Sequence, residues 1–215
     1  MLGEPLHSLT DLALGTTAVV LAVRLPPDVH RHWRSVFWWF GGAALAGAVH
    51  HGVIVQWPDV AEVSWALISL AVVVAVSYLL AASVAEVLGP RRARAFWLLR
   101  SIGVAAYAAA AATGHAGIGT MLACESVTMA SVLVLWLWAA YRDHPLAPAM
   151  LLAIAASGSA AAAKLTSAEF LSPTGLDPTS LYHLAQIAGL VLLYLAVAGA
   201  AQSSPVASAT QSRVR

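Results

Sequence analysis

The chain has 215 residues, 60% hydrophobic and only 10% charged, with a formal net charge of +1. Soluble domains carry roughly 25% charged residues, so this composition and a mean hydropathy of +0.79 exclude an ordinary water-soluble domain. The absence of a basic stripe excludes nucleic acid as a partner, and the single cysteine, Cys124, excludes an internal disulfide and a Cys-based zinc site.

Apolar stretches near the ~20 residues that a bilayer requires follow one another along the chain. The first covers residues 5–25. The opening MLGEPLHSLTDLAL has neither a basic n-region nor a small-residue cleavage site, and reads as membrane helix rather than cleaved signal. Pro26-Pro27 ends it, because proline cannot continue the hydrogen-bond ladder. The second stretch covers residues 35–56 and stops before Pro58, and the third covers 63–88 and stops at Gly89-Pro90. The fourth covers 95–113, ended by Gly114, the fifth 118–141 and the sixth 148–165. Asp177-Pro178 opens the last, with Asp as N-cap and Pro at the first helical position, and it reaches residue 201. The fold class expected is all-α: a seven-transmembrane-helix bundle over residues 1–201 and a disordered cytoplasmic tail over 202–215.

Charge sets the orientation. Arg24, Arg31, Arg34, Arg91, Arg92, Arg94, Arg142, Arg213 and Arg215 fall in or beside the odd-numbered loops and the tail, and Arg100 lies near the same side. Only Lys164 falls at the opposite face, so the positive-inside rule places the N-terminus outside and the C-terminus in the cytoplasm. All eight tryptophans lie near helix ends, as an aromatic belt requires. AAYAAAAATG in the fourth helix and AIAASGSAAAAKL in the sixth supply small residues for close helix contact. Glu86 and Arg100 flank the tight third loop and read as an ion pair or snorkelling groups, and His30, His32, His115 and His144 read as loop residues in contact with solvent.

The ionisable residues within the spans are Glu4, His7, Asp11, His50, His51, Glu125 and His183. At 1.5 Å rise per residue, Asp11, His51, Glu125 and His183 all lie about 8–10 Å below the outer helix ends. Such side chains are costly in lipid, face the bundle interior, and mark a functional site. Glu4, His7, Ser8 and Asp11 step by three or four and share a face; so do Glu125 with Thr128, and His183 with Gln186. His50 and His51 point about 100° apart, and His51 is favoured for the site.

Zinc accepts imidazole nitrogen and carboxylate oxygen, and a catalytic site keeps three protein ligands and one water. His51, His183 and a carboxylate, with Glu4 favoured and Asp11 or Glu125 as substitutes, supply that set. A spare carboxylate, Asp11 or Glu125, then serves as general base, while Ser8 and Gln186 orient ligands or an oxyanion. This reading is a metal-dependent hydrolase of lipid amides or esters at the outer leaflet. Two others stand beside it. In one, the polar layer binds a small ligand, ion or proton, or only locks the helices. In the other, His51 and His183 are axial haem ligands.

SLTD at residues 8–11, GAVHHG at 47–52 and DPTSLYHLAQ at 177–186 resemble an uncharacterised family of bacterial multi-pass proteins, which implies a place in the bacterial inner membrane. More distantly, the layout resembles the CREST superfamily of membrane hydrolases, which includes alkaline ceramidases and the progestin and adipoQ receptors. That resemblance implies zinc, with His51 as the second-helix ligand and His183 as the first of a seventh-helix pair. The chain has Gly47 where the superfamily has Ser, and Ile187 where it has the second seventh-helix His. Glu125, Asp11 or Glu4 must then replace the missing ligand.

Overall fold

The computed structural model describes residues 3–92, 96–164 and 177–203. Among these the chain forms α1 (Pro5–Arg24), α2 (Arg31–Gly52), a 3-10 turn (Ile54–Gln56), α3 (Pro58–Val87), α4 (Trp97–Ala112), α5 (Ile118–Tyr141), α6 (Ala147–Lys164) and α7 (Pro178–Ser203). The expected tail beyond residue 203, Arg94 and the segment 165–176 lie outside the described residues. Four helices, α1, α3, α5 and α7, are long and apolar enough to cross a membrane, and α4 and α6 are shorter apolar helices.

Local chemistry sets the helix ends. Pro5 and Pro58 occupy the first turns of α1 and α3, where a missing N–H costs nothing. Leu25, held extended (φ −59°, ψ 132°) before Pro26, closes α1. Gly114, at φ +81°, ends α4: its N–H donates to the Ala111 carbonyl and the His115 N–H to that of Ala110. This is the double closure that a left-handed residue makes possible after a helix. At α7, Asp177 Oδ1 accepts from the Thr179 and Ser180 backbone N–H groups at 2.8 and 3.0 Å, the side-chain N-cap expected from the sequence.

Two helices, α2 and α3, differ most from the sequence reading. α3 starts at Pro58, so its first turn includes Asp59, an acid favoured near a helix N-terminus. α2 starts at Arg31 and ends at Gly52, and the chain then tightens into the 3-10 turn. His51 therefore sits in the last turn of α2, not five residues inside it.

α1 packs along α2, and α6 along α7; α3 contacts α2, α4 and α5, and α1 meets α7. The main apolar core is built on Trp33, Phe37, Leu80, Val84, Trp136 and Met150. This revises the aromatic belt: Trp33 and Trp136 are buried, and the Trp136 indole N–H donates to Ser83 Oγ at 3.0 Å, which satisfies it inside the bundle. Trp38, Trp39, Trp57, Trp97 and Trp138 stay exposed. His32 is half-buried with its ring 5.8 Å from that of Tyr78, and the Arg100 guanidinium lies 4.5 Å over the same ring. The outward faces carry Leu9, Val23, Leu67, Ile102, Val134 and Leu195, all exposed. An apolar belt of this kind is stable against acyl chains, not water. The chain is a helical membrane protein.

Candidate metal centre

The start of α1, the end of α2 and the start of α7 meet at one end of the bundle. Gly3 N–H donates to the Gly52 carbonyl at 3.0 Å and Glu4 N–H to that of His51 at 2.9 Å, so the backbone itself ties the chain start to α2. Glu4 Oε2 then accepts from two imidazoles: His7 Nδ1–H at 2.9 Å and His51 Nδ1–H at 2.5 Å. The His7 hydrogen bond, joined by that of His51, holds the Glu4 carboxyl below its usual value against the opposing effect of burial.

Each imidazole is held from its far side as well. His7 Nε2–H donates to Asp177 Oδ1 at 2.8 Å. His51 Nε2 lies 3.8 Å from Asp11 Oδ2, and Asp11 Oδ1 lies 3.4 Å from His183 Nε2. The Thr10 hydroxyl is in reach of the Leu6 and His7 carbonyls at 3.0 and 3.1 Å, and its one proton goes to them. His183 Nδ1–H therefore donates to Thr10 Oγ1 at 2.9 Å. With that nitrogen occupied, a proton held between the pair lies on the line from His183 Nε2 to Asp11 Oδ1. Asp177 is a double anchor: besides His7 and the two backbone groups, its Oδ2 accepts from Ser180 Oγ at 2.6 Å. Burial pushes the Asp177 carboxyl up, and the Ser180 and His7 hydrogen bonds outweigh it, leaving the group well below the usual carboxylate range.

One potential ligand atom each from Glu4, His7 and His51 lie within 4.8 Å of one another, and this group could hold a metal ion. The chemistry of the donors fits: two imidazoles and one carboxylate are a ligand set that zinc accepts. A cation there would replace the protons that otherwise link Glu4 to both rings, so metal and acid compete for the same atoms. Asp177 behind His7 and Asp11 behind His51 are the outer carboxylates that fix ring orientation in such sites. Exposure falls inward across the site: the Glu4 side chain is 41% exposed, and those of Asp11 and His183 are each 8% exposed.

Asp11 fits because residue 47 is glycine. A Cβ on Gly47 would stand 2.6 Å from Asp11 Oδ2, inside van der Waals contact. The carboxylate thus lies flat against α2, in the space that a side chain would fill.

These groups line a cavity of about 300 Å³ that also includes Trp65, Tyr182 and Gln186. The residues expected at the site divide as follows. Glu4, Asp11, His51 and His183 all line this cavity. His183 reaches Asp11 and Thr10, and the three-residue group that could hold an ion does not include it. Ser8 sits on the α1–α2 seam, where its hydroxyl donates to the Ala48 carbonyl at 2.8 Å. His50 turns to α3, with Nδ1 3.2 Å from Ser64 Oγ. Glu125 lines a second cavity beside the first, and its Oε1 is buried with no hydrogen-bond partner among the described residues.

His7, Thr10 and Asp177 have the roles that sequence reasoning did not assign. The three-residue step from Glu4 to His7 was a legible sign of a pair. The contact from His7 to Asp177, 170 residues away, was not.

No curated protein and no solved structure matches the chain, and no comparison links it to the CREST superfamily. The model of a family of unknown function, DUF6962, matches residues 6–202, nearly the whole chain, and the protein belongs to that family.

Proposed function

We propose that the protein is a zinc-dependent membrane hydrolase of lipid amides or esters, with Glu4, His7 and His51 as metal ligands. The observation that carries this reading is the meeting of those three donors at the mouth of a cavity whose remaining walls are largely apolar. In this reading all seven helices cross the membrane, the N-terminus lies outside, and the centre sits near the extracytoplasmic face of the bacterial inner membrane. The arginine distribution supports that orientation.

Zinc, when bound, supplies Lewis acidity toward a substrate carbonyl and a water. The chain supplies the rest. Asp177 holds His7, and Asp11 holds His51, so both rings keep one orientation. Asp11 and His183 share a proton along the line between Oδ1 and Nε2, which makes them the pair that takes a proton from water and returns it to the leaving group. Thr10 fixes the His183 ring. Tyr182 and Gln186, hydrogen-bonded to each other, border the cavity and orient the carbonyl. Leu14, Phe40, Val72 and Met121 line the walls, against which an acyl chain can lie without losing contacts. The likeness to the CREST superfamily supports the same reaction class, with the ligand set moved from the last helix to the first.

Metal analysis of protein purified without chelators tests this. Stoichiometric zinc is expected, lost in His7→Ala and in His51→Ala. His183→Ala is expected to keep the zinc and to lose about 10²–10⁴-fold in release of fatty acid from an N-acyl lipid. A chain without stoichiometric zinc, or one that keeps it through both ligand substitutions, ends this reading.

A further inference from the structure

The second cavity has about 380 Å³ and shares Leu14, Phe40, Val72, Tyr182 and Gln186 with the first. The two are neighbouring chambers with Tyr182 and Gln186 at their common wall. The second chamber is lined by α5, α6 and α7 together with Val72, Val76 and Leu79 of α3, Leu14 of α1 and Phe40 of α2, and leucine is its commonest residue. Its α5 and α6 rim residues Leu122, Ser126, Ala130, Leu133 and Gly158 are exposed, on helix faces that otherwise carry apolar side chains. In a bilayer that rim faces lipid, so the chamber fills from the acyl-chain region rather than from water.

Glu125 is the anomaly in this chamber. Its Oε1 is buried without any hydrogen-bond partner among the described residues. An unmet buried acceptor forfeits its hydration without return, and native proteins rarely keep one without a use. Nothing in the Glu4–His51–Asp11 network touches it. Nor does it serve packing: a leucine of similar size would fill the same space at no such cost.

We infer that the second chamber is a binding site for a single-chain membrane amphiphile, entered between α5 and α6, whose hydroxyl or amide N–H donates to Glu125 Oε1. The apolar lining takes the chain, and the carboxyl oxygen selects for a donor at a fixed point along it. The site shares five wall residues with the first chamber but uses neither the metal ligands nor the Asp11–His183 pair, so it does not rest on the metal reading.

The test is equilibrium binding of tritiated hexadecanol and of hexadecyl methyl ether, which has the same chain and no donor, to the full chain in nanodiscs. The wild type is expected to bind the alcohol about 10-fold or more tighter than the ether. Glu125→Leu is expected to erase the difference, and Glu125→Gln, which keeps a carbonyl acceptor, to retain it. Gly158→Leu tests the chamber itself: a Cβ there meets nothing within 4 Å, so the added side chain fills space without disturbing the fold and should weaken both probes. His51→Ala is expected to behave as wild type, which keeps this outcome separate from that of the metal experiment. A wild type that does not discriminate, or a Glu125→Leu that still does, overturns the inference. So does unchanged binding in Gly158→Leu, or a preference lost in His51→Ala, which would place the alcohol in the first chamber.

Discussion

The two chambers hold the same kind of group in opposite states. In the first, the carboxylates of Glu4 and Asp11 each have imidazole nitrogens within ion-pair distance, and the rings are held in turn by Asp177 and Thr10. In the second, the Glu125 carboxyl has an oxygen with no hydrogen-bond partner among the described residues. A bundle in lipid can keep an acid in two ways. It can complete the acid's hydrogen bonds from its own helices, or it can leave the place open for something that arrives. The first way costs sequence: seven side chains from three helix ends are committed to it. The second costs stability, since the unmet oxygen is carried until a donor comes.

Substitution by leucine at both acids breaks this comparison most directly. Asp11→Leu leaves His51 and His183 facing an apolar group, and removing one partner of a buried ionic pair costs about 3–5 kcal/mol. Glu125→Leu removes an unmet acceptor and should stabilise the protein by about 1–3 kcal/mol. Unfolding midpoints of the purified proteins in one detergent should therefore move in opposite directions. Shifts of the same sign would mean that Glu125 has a structural partner after all, and the contrast between the chambers would fail.

Thr10→Val sharpens the same comparison at smaller scale. Valine keeps the shape and removes the acceptor for His183 Nδ1–H. The result is a buried donor without a partner, worth about 1–3 kcal/mol. Zinc content should stay at the wild-type level, because Thr10 acts on the proton-handling pair and not on the ligands. Loss of metal together with stability would instead assign His183 to the coordination sphere.

How much of this was legible in the sequence depends on distance along the chain. The Asp177 cap, the Gly114 stop and the shared face of Glu4, His7 and Asp11 are local patterns, and local rules read them. The end of α2 differs because residues 53–55 are apolar and continue the helical pattern, while the chain there tightens toward Pro58 in a 3-10 turn. Depth along a helix follows from residue count, and that count puts Asp11, Glu125 and His183 at one expected level. Position around the bundle was not. It depends on which helices are neighbours, and that order puts Tyr182 and Gln186 between the Asp11 network and Glu125. The partner of His7 was out of reach for the same reason. The residue that makes room for Asp11, Gly47, could be seen only once the two helices were side by side.

The smallest effect expected concerns Asp177, which caps α7 and steadies His7 at once. Its carboxyl lies below the usual range because the Ser180 and His7 hydrogen bonds outweigh burial. A group lowered on folding stabilises the native state fully above its unfolded value, about 3.9. That contribution disappears as pH falls through the lower folded value. The wild-type unfolding midpoint should therefore drop as pH is taken from about 5 to about 3. Asp177→Asn keeps an acceptor for the Thr179 and Ser180 N–H groups but carries no charge, so at neutral pH it should already lack the stability that the wild type loses on acidification, and should flatten the drop. Some slope should remain, because Glu4 is lowered in the same sense by His7 and His51. Asp177→Ala removes cap and charge together and should lose about 1 kcal/mol more than Asp177→Asn at neutral pH, the usual worth of an N-cap. If Asn and Ala behave alike at neutral pH, the helix cap is not what Asp177 provides, and its hold on His7 becomes its principal role.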